Sequence, residues 1–339
     1  MTPLNRRQFI AGTAVIAAAL GANSALGQNA VSSGPVPLRP FGKSDVKLSA
    51  LGIGGYHLGS ASSQQESTEI VARAMAAGVN FFDNCWEYHD GESEERLGQA
   101  LKGRRQQAFV MTKVCTHGRD KATAMRQLEQ SLRRLQTDYL DLWQIHEVVY
   151  YNDPDLIFAP GGAAEALLEA KRQGKVRHIG FTGHKDPAIH LRMLSHDFPF
   201  DSVQMPLNCL DATYRSFEQQ VLPEVNRRGM AALGMKSFGG RGEILVGGAA
   251  TPEEALRYAM SLPVATTISG IDSLRVLDQN LAIATNFKPM SPAEMQSLRD
   301  RCRPLAADGR FELFKSSKLY DGKEGREQHK YPSSKELPV

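Results

Sequence analysis

A carboxylate, a phenol, an amine and an imidazole stand at Asp83, Tyr88, Lys113 and His146. These are side-chain types that hold and transfer protons. Their spacing gives them meaning. Asp83 ends the run Phe81-Phe-Asp, Lys113 lies at the end of Phe109-Val-Met-Thr-Lys-Val, and His146 follows Tyr139–Ile145. Each run is short and apolar, the pattern of a buried strand. Tyr88 falls in the loop after the first of them. Alone, each residue has an ordinary explanation: a turn aspartate, a packing tyrosine, a structural histidine. Lys113 is harder to dismiss, because it follows a run that must be buried. If the strands close into a barrel, all four residues gather at its C-terminal mouth, where catalytic groups of that fold reside.

The remaining elements predict such a barrel. Residues 36–48 read as a hairpin with its turn near 42–45. Strands are then predicted at 50–54, 81–83, 109–114, 139–145, 176–181, 202–205, 230–235 and 264–269. Helices are predicted between them at 66–77, 94–101, 121–135, 163–173, 188–195, 217–228, 252–261 and 274–284, with a further one at 292–303. Gly78, Gly174 and Gly229 stop three of these helices, and Ser93 reads as an N-cap. Eight strand-then-helix units without a break match the ~250 residues typical of a (β/α)₈ TIM barrel. A doubly wound sheet would want a glycine fingerprint after the first strand. Gly52-Ile-Gly-Gly-Tyr-His-Leu-Gly59 is glycine-rich but lacks that spacing. The expected organisation is therefore 1–30 leader, 31–310 α/β barrel with an N-terminal hairpin, and 311–339 a polar C-terminal tail on the surface, draped over the barrel mouth.

Composition narrows the function classes. The chain has 339 residues, 42% of them hydrophobic, and a net charge of +3, of which Arg6 and Arg7 supply two units. The rest is nearly neutral, so neither nucleic acid nor an anionic membrane surface is an expected partner. The four cysteines, Cys85, Cys115, Cys209 and Cys302, include no CxxC pair and no zinc spacing. They read as buried thiols, and no metal is expected.

Four stretches resemble the aldo/keto reductase family: Gly78-Val-Asn-Phe-Phe-Asp-Asn-Cys-Trp-Glu-Tyr88, Gly91-Glu-Ser-Glu-Glu-Arg-Leu-Gly98, Met111-Thr-Lys113 and Tyr139-Leu-Asp-Leu-Trp-Gln-Ile-His146. The resemblance extends over about residues 36–290. It implies a nicotinamide-dependent oxidoreductase interconverting a carbonyl (aldehyde, ketone or sugar) and an alcohol, with Tyr88 as general acid/base. Tyrosine has a reference pKa near 10. The Lys113 ammonium is expected to lower it, Asp83 to hold Lys113, and His146 to hydrogen-bond the carbonyl oxygen.

The same resemblance suggests the cofactor contacts. Thr182 and His184 follow the fifth barrel strand, where the family carries Ser-Asn; here Gly183 stands in the asparagine position, and His184 is the substitute. Gln204 is expected on the nicotinamide carboxamide, with Tyr214 as a stacking partner. Gly239 and Gly240 would let backbone N–H groups approach a pyrophosphate. Gly270, Ser273, Gln279 and Asn280 resemble the adenosine-binding loop and helix start. NADP is the expected cofactor on family grounds, with NAD the alternative, because Val276 occupies the position of the usual phosphate-clasping base and Asp272 lies nearby.

The N-terminus predicts export. Arg6-Arg7-Gln-Phe-Ile resembles a twin-arginine signal, followed by an Ala- and Gly-rich stretch from Ala11 to about Gly27 with small residues at Ala25, Gly27 and Ala30 for cleavage. The expected partners are thus the twin-arginine export machinery and a small carbonyl or alcohol. The expected location is periplasmic or otherwise exported, with no stable membrane association after cleavage. Folding before export would let a dinucleotide travel inside the protein. The competing reading is a cofactor-binding redox sensor or regulatory module with slow turnover.

Overall fold

The computed structural model describes residues 34–115, 119–240 and 242–333. The leader expected at 1–30 lies outside these residues. Strands β1 (Leu38–Pro40) and β2 (Lys47–Ser49) pair antiparallel as a hairpin. Eight parallel strands then close into a barrel: β3 (Leu51–Gly54), β4 (Phe81–Phe82), β5 (Phe109–Val114), β6 (Leu140–Ile145), β7 (Val176–Thr182), β8 (Ser202–Pro206), β9 (Ala231–Met235) and β10 (Thr266–Gly270). They follow one another in chain order, and β10 pairs with β3 to close the ring. Among the described residues, no helix is long and apolar enough to cross a membrane.

Alternation along each strand separates chemistry from packing. On β5, Phe109 and Met111 belong to an apolar cluster with Phe41, Phe81, Leu142 and Leu233. Lys113 continues that same period-two face. Val110 and Val114 instead join the larger core between strands and helices. The pattern repeats on β4, where Phe81 leads to Asp83, and on β6, where Leu142 leads to Gln144 and His146. The inner face is thus dry at the bottom and polar at the top. Phe41, carried by the hairpin, packs on Phe109 and His178 and closes the floor.

Helix starts follow the cap chemistry. Ser63 and Asp120 accept from the backbone of Glu66 and Thr123, and Thr251 and Ser291 form capping boxes with Glu254 and Glu294. Ser93 differs from its expected role. The helix Glu92–Ala100 begins one residue before it, and its hydroxyl donates to the carbonyl of Gly55 at 2.7 Å. The expected helix at 217–228 is broken into Phe217–Gln220 and Leu222–Arg228. Pro223 has no N–H for the carbonyl of the preceding turn, which ends the first piece there.

The C-terminal segment departs from a solvated tail. Its short helix Leu313–Ser316 carries Phe314 and Lys315, both fully buried. Lys315 Nζ donates to Asp211 Oδ1 (2.6 Å), the Tyr214 carbonyl (2.8 Å) and Glu312 Oε2 (3.0 Å). Satisfied on every side, this charge is buried as the centre of a polar cluster.

Candidate active site

Tyr88 opens a tight turn, Tyr88–Gly91, in which His89 and Asp90 adopt left-handed backbone (φ 52° and 54°). Such conformations cost about 1–3 kcal/mol each and persist where the surroundings over-determine them. Here His89 Nε2 meets the Tyr56 carbonyl at 2.8 Å. Gly91 has φ 98°, and a Cβ on it would lie 2.2 Å from the Arg134 guanidinium carbon. The turn aims the phenol back over the barrel.

Lys113 Nζ ion-pairs with Asp83, donates to the Asn84 carbonyl at 2.7 Å, and stands 3.4 Å from the Tyr88 hydroxyl. His146 packs edge-on against the Tyr88 ring. The structure thus brings together Asp83, Tyr88, Lys113 and His146. It also adds residues that the linear reading missed. Glu87 lies 2.6 Å from His146 Nδ1. Cys85 Sγ lies 3.2 Å from the same nitrogen, and Cys115 Sγ lies 3.0 Å from Glu87 Oε2. Glu147 accepts from the backbone N–H of Gly322 at 2.7 Å. Adjacency to Tyr88 and His146 was the one available signal for Glu87 and Glu147.

The electrostatics correct one expectation. The Tyr88 phenol is pushed well above its ordinary range, by burial first and then by the charges of Asp83, Cys85, Glu87 and Glu147. Burial also raises the Asp83 carboxyl, more than the lysine lowers it.

The cofactor residues divide. Gln204 is inward-facing on β8 and buried, with Nε2 loosely held by Met235 sulfur at 3.5 Å and Oε1 without a partner. A carboxamide donor would satisfy that oxygen, so this end fits a nicotinamide. Thr182 is buried beside it in register. His184, expected in the missing asparagine's role, has its Nδ1 donating to the Phe314 carbonyl at 2.9 Å and its Nε2 3.8 Å from Glu147 Oε1. Gly183 has no room for a side chain, since a Cβ would meet the Val148 carbonyl at 2.3 Å.

Gly239 has the left-handed backbone (φ 82°) that favours glycine, but the face of Gly240 is covered. A Cβ there would lie 1.7 Å from the Tyr320 hydroxyl. Tyr320 in turn donates to Glu243 at 2.8 Å. A pyrophosphate reaching this loop must displace that ring. Lys236 Nζ lies 4.8 Å from the same ring, half-buried, and burial lowers its pKa.

The His57 ring packs against Gly270. Ser273 does not cap the helix Leu274–Thr285, its hydroxyl turns to Asp272, and the Leu274 N–H is met by the Glu66 carboxylate. Asn280 is buried with Oδ1 unpartnered. Gln279, one position earlier on the same helix, is exposed. Tyr214 packs against Gly309. Trp86 bonds Gln130 at 2.6 Å.

Comparison with known proteins converges on one family. The family model described as "Aldo/keto reductase family" matches residues 50–243, more than half of the chain. The aldo-keto reductase YhdN of Bacillus subtilis is 29% identical over 52% of this chain and 55% of its own length. The methylglyoxal reductase YeaE of Escherichia coli is 34% identical over 40% and 46%. The chain therefore spans about half the length of these curated relatives. Among solved structures, a holo-form aldo-keto reductase of Bacillus halodurans superimposes with a TM-score of 0.67 at 25% identity, covering 78% of this chain and 96% of that one.

Proposed function

Because the chain belongs to the aldo/keto reductase family, we propose that it is a nicotinamide-dependent oxidoreductase that reduces a small carbonyl compound, with Tyr88 delivering the proton. One observation carries this reading: the Tyr88 hydroxyl stands 3.4 Å from a buried lysine that is itself pinned by Asp83. When bound, the dinucleotide supplies the hydride. The chain supplies everything else. His146 and Tyr88 flank the position of the carbonyl oxygen, and the charge that develops there is met by the phenolic proton. Lys113 stabilises the phenolate left behind, once the proton is gone. A phenol that stays protonated through the neutral range needs no prior change of state for reduction. Oxidation of an alcohol would first have to remove that proton.

Gln204 would hold the carboxamide, and the first turn of Leu274–Thr285 with Asn280 would meet the adenosine end. Val276 in place of a phosphate-clasping base favours neither dinucleotide decisively. NADP stays first on family grounds. The name of one relative, an NADH-specific methylglyoxal reductase of Escherichia coli, keeps NAD in view. Short 2-oxoaldehydes are accordingly the first substrates to assay. The arginine pair at Arg6-Arg7 supports export of the folded protein with its dinucleotide aboard.

The test is Tyr88→Phe, assayed by nicotinamide absorbance against a panel of aldehydes, ketones and sugars with both dinucleotides. The expected loss in kcat is about 10²–10⁴-fold with cofactor affinity retained. Parent-like turnover in this variant removes the phenol from the chemistry. The sensor reading is favoured by the Tyr320 ring over Gly240, which would slow cofactor exchange. It predicts a single hydride transfer per bound dinucleotide and no sustained turnover.

A further inference from the structure

Three donor atoms of different chemistry meet at Nδ1 of His146, on the imidazole that the hydride-transfer quartet also uses. Cys85 Sγ lies 3.2 Å from His146 Nδ1, Glu87 Oε1 lies 2.6 Å from that nitrogen, and Cys85 Sγ lies 3.9 Å from Glu87 Oε1. All three atoms fall within 4.8 Å of one another, and the set is largely buried. They come from the loop after β4 and from the end of β6, so no local spacing announces them.

Two readings of a thiol, an imidazole and a carboxylate compete. In a nucleophilic relay, thiol and carboxylate occupy opposite ring nitrogens, so that the proton can pass through the imidazole. Here both face Nδ1. The three donors converge on one point, which is the geometry of coordination. A divalent ion bound at 2.0–2.3 Å by nitrogen, oxygen and sulfur separates its ligands by roughly 3–4 Å. Two of the three separations fall in that range and the nitrogen–oxygen one, at 2.6 Å, is shorter; a small outward rotation of Glu87, the most exposed of the three, opens that gap.

The carboxylates of Glu87 and Glu94 bear on Cys85, opposed by the Lys113 ammonium, which is itself paired with Asp83. Cys115 donates to the second oxygen of Glu87 and so orients the carboxylate from behind.

We propose that Cys85, Glu87 and His146 form a binding site for a borderline-soft divalent cation of the Zn²⁺ class, with one coordination position left to solvent or a carbonyl oxygen. The ligand set of one sulfur, one nitrogen and one oxygen selects zinc or cobalt over magnesium and calcium, which take all-oxygen shells. Binding displaces the Cys85 thiol proton to solvent, so the thiolate, the imidazole and the carboxylate share the ion's charge. An occupied site ties Nδ1 of His146 to the metal and arrests the ring beside Tyr88.

The experiment uses the mature, tag-free protein and Co²⁺ as the probe. Titration is expected to give one cobalt per chain, a thiolate-to-cobalt charge-transfer band in the near ultraviolet, and visible bands of four-coordinate intensity. Zn²⁺ should bleach them, and calorimetry in two buffers should detect the released proton. Cys85→Ser should abolish the charge-transfer band, whereas Cys209→Ser should keep it. Glu87→Gln, at a partly exposed position, should fold as the parent and weaken binding by more than about tenfold. These readouts are independent of turnover, so a failed reductase assay leaves them standing. No cobalt bound at stoichiometric level, or a band that survives Cys85→Ser, overturns the site.

Discussion

The backbone N–H of Gly322 donates to Oε2 of Glu147 at 2.7 Å, which ties the C-terminal segment to the residue next to His146. The same segment reaches His184 through the Phe314 carbonyl and Glu243 through the Tyr320 hydroxyl. The mouth of the barrel is therefore finished by residues 77 to 175 positions away in sequence, and its access depends on how firmly they dock.

Tyr320→Ala is expected to loosen that dock. The variant loses a hydrogen bond to a carboxylate, worth about 1.5–3 kcal/mol. That raises the open population at least roughly tenfold. Stopped-flow fluorescence should show faster binding and release of a nicotinamide dinucleotide. Unchanged exchange rates would place the barrier elsewhere.

Glu312 gives the dock a pH dependence. Two carboxylates, Asp211 and Glu312, share one Lys315 ammonium, and burial raises the Glu312 carboxyl from an ordinary 4.5 to about 7. The folded state then holds a proton that the unfolded chain has already lost. The resulting stabilisation is complete below the ordinary glutamate value and disappears as pH rises through the folded one. Glu312→Gln should flatten this loss. Thermal unfolding of parent and variant at about pH 5 and about pH 8 checks it. Identical pH slopes for the two proteins would refute the assignment.

Lys113→Met should destabilise by about 3–5 kcal/mol at neutral pH, because it strands a buried carboxylate. The penalty should shrink in acid, where Asp83 takes up a proton. Adding Asp83→Asn removes the stranded charge and should recover most of the loss. Urea unfolding of both singles and the double closes the cycle; strict additivity would deny the pair any coupling.

Gly91→Ala should cost about 1–3 kcal/mol from its left-handed backbone alone. Its new methyl also meets Arg134, whose guanidinium donates to the Trp86 carbonyl at 2.8 Å. Both effects act on the turn that carries Tyr88. Lower stability with a raised KM is expected, and kinetics alongside chemical denaturation would reveal a parent-like variant at once.

The barrel was readable because strand and helix periods alternate without interruption, and because Asp83, Lys113 and His146 each sit at the end of an apolar run. Other features were hidden by physics that no local pattern encodes. Lys315 looks like a solvated charge until Asp211 and Glu312, from two different segments, are folded around it. Cys85 and His146 stand sixty-one positions apart and meet only through the β4–β6 neighbourhood. The direction of the Tyr88 shift is set first by burial and then by the charges packed around the phenol, which needs coordinates. Ser93 shows the converse. Its type suits a cap, yet a stronger partner at Gly55 claims the hydroxyl.

Phe109, Met111 and Lys113 share one side of β5, and this couples wetness to reading frame. Removing a single residue upstream on that strand would turn the ammonium outward into the helical layer and thrust Val110 and Val114 into the lumen. Chemistry and floor would fail together. Substitutions at the tip leave the frame intact, so new reactivities can be tried there while the foundation goes on folding as before.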